Sequence, residues 1–435
     1  MRQSNDGMLG AMPVPRLVVT MSLPIMLSML ISAVYNLVDS VYVAQYSDEA
    51  FLALSYAYPI QMLLVAFCSG IGVGFSAIFS RRLGEGDQEQ AASAVCHGFF
   101  LYGLCWLLFL LFALTGAAPF LRLSTEDPSV ARQGAQYLLI CCGLSIGTCM
   151  QFLTERILQA MGRPAGFMIV QGSGAILNLI LDPIFIFVLD LGVAGAAAAT
   201  VIGQISGALI GFWLVYRLRR QLPIRLRGFR PRGEMLAEMG RVAAPAVVMQ
   251  SLSSFMSLGL NQLLTRWSES AVFVLGAYFK LQTFIFMPIF GISSGLIPIL
   301  SYNYGSGALR RVSASVRFGQ QFTAVLSLSG ALLLSLLASP LLRSAFRASP
   351  EALAMGAPAL RIIALSFFFA GTSIIFCSAF QSLGRSRWSL LVALLRQILL
   401  LLPAAALLLA LKPALVWAAF PLSELISCFA AALLY

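Results

Sequence analysis

Charge is scarce in this sequence. Only 10% of its residues are Asp, Glu, Lys or Arg, against about 25% in soluble domains. Beside 59% hydrophobic residues, that scarcity excludes a soluble globular fold, which could not cover its own surface. Histidine occurs once, as His97, and lysine twice, as Lys280 and Lys412, so an HExxH zinc site is impossible. No GxxxxGKS/T loop exists, which excludes an ATP-driven engine within the chain. None of the eight cysteines forms a CxxC pair, and they read as buried thiols acting as small hydrophobes. No catalytic residues and no organic cofactor are expected. Residues 1–16 lack the pattern of a cleavable secretory signal, so the first apolar run is expected to remain as a helix.

Long apolar runs are what the chain does have. Residues 170–189, 326–342 and 390–411 are each nearly free of charge and match the roughly 20 residues that cross a bilayer. Backbone amides cannot stay unpaired in lipid, so such runs must be helices. The pattern predicts twelve spans, at 17–42, 52–79, 94–118, 134–160, 165–189, 193–217, 238–265, 272–301, 316–338, 356–382, 388–411 and 414–435. The net charge of +11 is no nucleic-acid footprint, because the arginines sit in short gaps between spans. The N-terminus and even-numbered loops hold Arg2, Arg16, Arg81, Arg82, Arg163, Arg217, Arg219, Arg220, Arg225, Arg227, Arg230, Arg232, Arg310, Arg311, Arg385 and Arg387. The odd-numbered loops hold only Arg122, Arg132, Arg266, Arg343, Arg347 and Lys412. This bias predicts a multi-pass membrane protein with both termini in the cytoplasm.

The chain repeats itself. A shift of 221 aligns Pro24 with Pro245, Ser32 with Ser253, Gln61 with Gln282, Gly70 with Gly291 and Gly74 with Gly295. The same shift pairs Ser80 with Ser301, Gly84 with Gly305 and Gly86 with Gly307. A shift of 222 then pairs Gln159, Gly162 and Arg163 with Gln381, Gly384 and Arg385. Two parallel halves of six spans are implied: residues 1–217, a basic cytoplasmic linker at 218–237, and 238–435. Helix repeats around a midplane site are an alternating-access design. The GxxxG pairs at Gly70 and Gly291 read as close-packing helix faces.

Polar groups inside spans mark candidate sites, because each is costly in lipid. Asp39 lies in the first span. Asn178 and Asp182, four apart in the fifth, share a helix face, and Pro183 is expected to kink that helix beside the carboxylate. A hairpin of spans five and six brings Thr200 to similar depth. Asp39, Asn178, Asp182 and Thr200 are therefore expected to converge in the outer part of the N-terminal half. Two carboxylates there would hold a proton, or with the amide and hydroxyl oxygens a hard Na⁺ ion; the residues alone leave both open. The second half places Leu260, Leu400 and Ala404 at the equivalent positions. It carries instead Gln250, Asn261, Gln262, Lys280, Gln282, Arg361, Arg396 and Glu424. Glu155 and Arg156 are expected to pair locally, and His97 reads as a helix-end or interface residue. Candidate substrate-cavity residues are Tyr35, Asn36, Gln250, Asn261, Tyr278, Lys280, Gln282 and Met287, a mix of flat, soft and polar groups suited to varied cations.

Several stretches carry a family resemblance: Pro24 with Tyr35-Asn36-Leu37-Val38-Asp39, Gly70-Ile71-Gly72-Val73-Gly74, Arg82-Leu83-Gly84-Glu85-Gly86-Asp87, Asn178-Leu179-Ile180-Leu181-Asp182-Pro183, Gly192 to Thr200, and Tyr302-Asn303-Tyr304-Gly305. Over essentially its full length the chain resembles the multidrug and toxic compound extrusion (MATE) family, nearest to its bacterial, MepA-like subgroup. The resemblance implies an all-α integral membrane fold of two pseudo-symmetric six-helix bundles in a V, in the bacterial cytoplasmic (inner) membrane. It also implies export of varied, often cationic drugs or toxic metabolites against H⁺ or Na⁺, with Asp39, Asn178, Asp182 and Thr200 as the coupling site. A monomer contacting small molecules and membrane lipids, with no nucleic-acid partner, is expected. A flippase of lipid-linked precursors is the alternative.

Overall fold

Apolar runs with no room for unpaired amides fold as helices, and no strand occurs among the described residues, which in the computed structural model are 8–218, 229–346 and 348–435. The side chains of Asn36, Leu37, Ser40, Val41, Ala44, Asp48 and Ala345 are outside the description, as are Arg2, Arg219, Arg220, Arg225, Arg227 and Arg347. The first half comprises α1 (Val14–Tyr46), α2 (Asp48–Gly84), α3 (Gln88–Thr115), α4 (Pro128–Gly143 with Ile146–Ala160), α5 (Pro164–Pro183) and α6 (Gly192–Arg217). The second comprises α7 (Gly233–Thr265), α8 (Glu269–Gly305), α9 (Leu309–Pro340) and α10 (Pro350–Ala364 with Phe367–Ser382). It ends with α11 (Ser386–Leu394, continuing to Leu411) and α12 (Ala419–Leu434, entered through a 3₁₀ turn). Ten helices are long and apolar enough to cross a membrane, and the bent pairs in α4 and α10, each kinked by 43°, bring the number to twelve.

The repeat in the sequence is a repeat of local structure. Ser47 caps α2 through the Ala50 N–H, and Ser268, 221 residues on, caps α8 through the Ser270 N–H. Each cap satisfies one of the amides that a helix start leaves without a carbonyl. Gly86 and Gly307 have φ of 78° and 77°, and Gly162 and Gly384 have 71° and 76°. These left-handed positions favour glycine over any residue with a Cβ, which explains why both copies keep it. Where a kink was expected, Pro183 is the last residue of α5, and a wide π turn continues the span at Ile184–Val188.

The two halves exchange their helix starts. Leu17, Val18, Met21 and Met26 of α1 pack with Ile292, Leu296, Ile299 and Val316 in the second half. Met235 and Met239 of α7 join the core of the first half. The GxxxG faces make the crossings tight, as their spacing predicts. A Cβ on Gly291 would lie 2.7 Å from Met26 Cα, and one on Gly74 2.6 Å from the Met239 carbonyl oxygen. A Cβ on Gly84 would overlap the Tyr302 carbonyl, and one on Gly305 the Arg81 carbonyl. Each contact maps onto the other under the shift of 221, so the pseudo-twofold axis runs between the ends of α2 and α8.

Polar bonds lock the same end of the molecule. Arg82 holds Glu238 at 2.7 Å and Glu85 at 3.0 Å, and Arg81 lies 5.0 Å from the Tyr304 ring centre. Arg311 donates to the Leu9 and Met12 carbonyls. His97 is an interface residue, as anticipated: its Nε2 accepts from the Arg232 N–H while Nδ1 meets the Ser93 carbonyl oxygen. Among the described residues, the hydrogen bonds between halves all lie at or toward this arginine-rich end. Beyond Gln250, α7 turns Phe255 and Leu258 outward, both about 60% exposed. Replacing Gly305 by Leu forces a side chain into the backbone of α2. The expected cost is about 1–3 kcal/mol from overpacking, with a longer spin-label distance between residues 88 and 310. An unchanged distance and melting temperature would show that this crossing does not hold the end shut.

Candidate cation site and polar interior

Four of the expected residues meet. On α5, Asn178 and Asp182 lie one turn apart and both are buried. Asn178 Nδ2 donates to Asp182 Oδ1 at 3.1 Å and to Thr200 Oγ1 of α6 at 3.3 Å. Small residues make that approach possible. A Cβ on Gly203 would lie 2.6 Å from the Gly174 carbonyl oxygen, so the backbones of α5 and α6 touch just below Thr200. The half-buried Asp39 of α1 reaches the same place, with its carboxyl group in hydrogen-bonding range of Asp182.

Among the described residues three oxygens in this cluster have no partner: Asp39 Oδ1, Asp182 Oδ2 and Asn178 Oδ1. Buried polar atoms normally find partners, and acceptor-only oxygens gathered in one place call for a proton or a cation. Tyr35 lies within electrostatic reach of both carboxylates. Tyr137 of α4, fully buried and near Asp39, accepts a 2.6 Å hydrogen bond from Gln61. The sequence reading missed Tyr137, which has no repeat partner to draw attention to it, and used Gln61 only as a repeat match. At the far end of the hairpin, Tyr46 donates to Asp190 at 2.9 Å and tethers α1 to the α5–α6 turn.

The proposed cavity residues scatter. Gln250 bridges the halves through Ser69 Oγ at 3.0 Å. Lys280 is exposed, without an acid partner among the described residues. Asn261, Gln282 and Met287 are half-buried, and the Asn36 side chain lies outside the description. Tyr278 does not face a cleft. It is buried in the second half, edge-on to Phe420 at 5.3 Å, because its turn of α8 faces α12. Glu155 and Arg156 do not pair with each other, correcting the expectation. As adjacent helical residues they point apart, and Glu155 accepts from Gln151 while Arg156 donates to Gln159. Gln159 then donates to the Ser294 carbonyl across the interface at 2.6 Å.

Two further groups bear on ligand binding. Arg396 of α11 donates through two nitrogens, at 3.0 and 2.8 Å, to Glu424 Oε1 of α12. In the first half the shift of 222 places Gly174 and Ile202 at the positions of this pair. The sulfurs of Cys68, Cys105 and Cys149 lie within 4.8 Å of one another inside the first half. A soft metal would need those thiols deprotonated in an apolar core, so they remain hydrophobic packing here. Replacing Arg396 by Met strands the Glu424 carboxylate, at an expected cost of about 3–5 kcal/mol. Pairing it with Glu424→Leu is expected to restore most of the loss. Equal melting temperatures for single and double variants in detergent would contradict this account.

Comparisons with known proteins agree with this fold. The family model MatE matches residues 24–184 and 245–407, one segment in each half. The multidrug export protein MepA of Staphylococcus aureus (strain MRSA252) is 26% identical over 402 residues, covering 89% of this chain and 86% of that protein. An FAD transporter of Shewanella oneidensis is 26% identical over 421 residues, covering 93% and 90%. A crystal structure of MATE in complex with MaD3S superposes with a TM-score of 0.92 at 22% identity, covering 98% of this chain and 96% of the other. An outward-facing multidrug resistance MATE transporter of the MOP superfamily gives 0.92 at 23% identity, with the same coverage.

Proposed function

The chain belongs to the MatE family, in its bacterial MepA-like branch, and on that premise we propose that it exports varied, often cationic organic compounds by antiport. The three unpartnered oxygens of Asp39, Asp182 and Asn178 carry the coupling part of this reading. Two carboxylates this close repel when both are charged, so an entering cation changes how α1 and α5 pack. The nearness of Asp39 to Asp182 favours a shared proton. Na⁺ is the other occupant, with Thr200 Oγ1 and Asn178 Oδ1 completing an oxygen set.

The arginine-rich end is the cytoplasmic face in this reading. Locked there by α1–α8 and α2–α7, the protein opens toward the outside, where cations reach Asp39. Because the start of α1 is embedded in the second half, a movement at Asp39 is transmitted past Pro24 into the opposite core. The name of the Staphylococcus relative supports drug export, and that of the Shewanella relative extends the cargo to a flavin nucleotide. A flippase for lipid-linked precursors has less support, since the polar interior of the first half is acidic. The protein acts as a monomer of two lobes.

Ethidium efflux from cells without their own pumps tests the proposal. Asp39→Asn and Asp182→Asn are each expected to lower efflux more than tenfold at equal membrane expression. A proton uncoupler is expected to abolish wild-type efflux, and replacing Na⁺ to leave it unchanged. The reverse ion dependence would make Na⁺ the coupling ion. Full efflux from both variants would remove the carboxylates from the mechanism.

A further inference from the structure

A crevice of about 890 Å³ opens between α7 and the start of α11 at the arginine-rich end. Arg241, Arg385 and Arg387 line it, together with Ser386 and Trp388. Among the described residues none of the three arginines has a carboxylate in ion-pair range. Glu238, one turn before Arg241, is already held by Arg82. The start of α11 lines the crevice with Arg385 to Trp388, and no side chain caps it. Helix starts attract anions through those amides and the helix dipole.

Ser386 supplies the independent sign of a ligand. It is 2% exposed, it lines the crevice, and its hydroxyl has no hydrogen-bond partner. A buried hydroxyl left without a partner is disfavoured, and an anion seated at the helix start would accept its proton. The remaining wall is apolar, formed by Ala244, Pro245, Leu391 and the partly exposed Trp388. The ligand it fits is amphiphilic, with an anionic head and a hydrocarbon body.

The fold does not demand these groups. In the first half the register equivalents of Arg241, Ser386, Arg387 and Trp388 are Thr20, Pro164, Ala165 and Gly166, and only Arg163 matches Arg385. The general excess of arginine in one set of loops accounts for basic residues here. It does not account for three that converge, unpaired, on a buried hydroxyl and a tryptophan found in one half alone. We propose that this crevice is a binding site for the phosphate headgroup of an anionic phospholipid of the adjacent leaflet, with its acyl chains along Trp388 and Leu391. Pro245 lines the same crevice, which puts the lipid against the stretch of α7 that packs on the first half.

The test uses the full chain in phosphatidylcholine nanodiscs, titrated with phosphatidylglycerol brominated in its acyl chains. Tryptophan quenching is read as the difference between wild type and Trp388→Phe. Saturable quenching by the brominated phosphatidylglycerol, and none by brominated phosphatidylcholine at equal fraction, is expected. Arg241→Gln with Arg387→Gln should raise the required lipid fraction about thirtyfold, the weight of two basic groups at an anionic surface. Should that variant fail to fold, Ser386→Ala is expected to raise it severalfold. Equal quenching by both lipids, or no effect of either variant, would overturn the site. Relief of quenching by millimolar glycerol phosphate would overturn the lipid source and assign the crevice to a soluble phosphate. None of these outcomes depends on drug export.

Discussion

The exchange of helix starts between halves is the constraint on which the rest of this structure hangs. α1 begins in the core of the second half and ends beside the carboxylates of the first, and α7 does the converse. Pro24 and Pro245 lie inside the crossing stretches of these helices. A proline removes one backbone bond and bends the helix at that point, so each crossing helix is jointed within its crossing stretch. The glycines at the crossings let backbones touch, which gives the joint a narrow geometry. Two packed arrangements separated by a joint are what a switching transporter requires.

Symmetry explains the frame and its breaking explains the chemistry. Caps, left-handed glycines and interface contacts all recur under the same shift. The polar interior does not. In the first half α5 and α6 touch through Gly174 and Gly203 beside Asp182, whereas in the second α11 and α12 are joined by an ion pair of Arg396 with one oxygen of Glu424. One half keeps an acidic pocket, while the interior acid of the other, Glu424, is paired with Arg396. A buried ion pair of this kind adds little net stability. It does fix the relation of α11 to α12.

Much of this was legible in the residues. Twelve spans follow from run length, and the repeat follows from Gly, Pro and Gln in register. The meeting of Asn178, Asp182 and Thr200 follows from helical spacing and a short hairpin. What escaped depended on which face a helix turns inward. Tyr278 was placed in a cavity because it is aromatic and mid-span, yet its face of α8 packs on α12. Glu155 and Arg156 were expected to pair because they are neighbours in sequence, but neighbours on a helix diverge by about 100°. Tyr137 and Arg396 matter through partners 76 and 28 residues away, and no local pattern reports such distances.

The size of the coupling can be set against the work required. Moving a two-state equilibrium from 1:99 to 99:1 takes about 5.5 kcal/mol of differential binding. Two unit charges 4 Å apart repel by about 4 kcal/mol at an effective dielectric near 20. On the proposed antiport reading, one cation bound between Asp39 and Asp182 would be of the right order to drive most of the switch, with hydrogen bonds to Asn178 and Thr200 contributing the rest. The same magnitude explains why the site lies on α1. A few kcal/mol released at an isolated helix would relax locally. Released on a helix whose other end is embedded in the opposite half, it must move one lobe against the other.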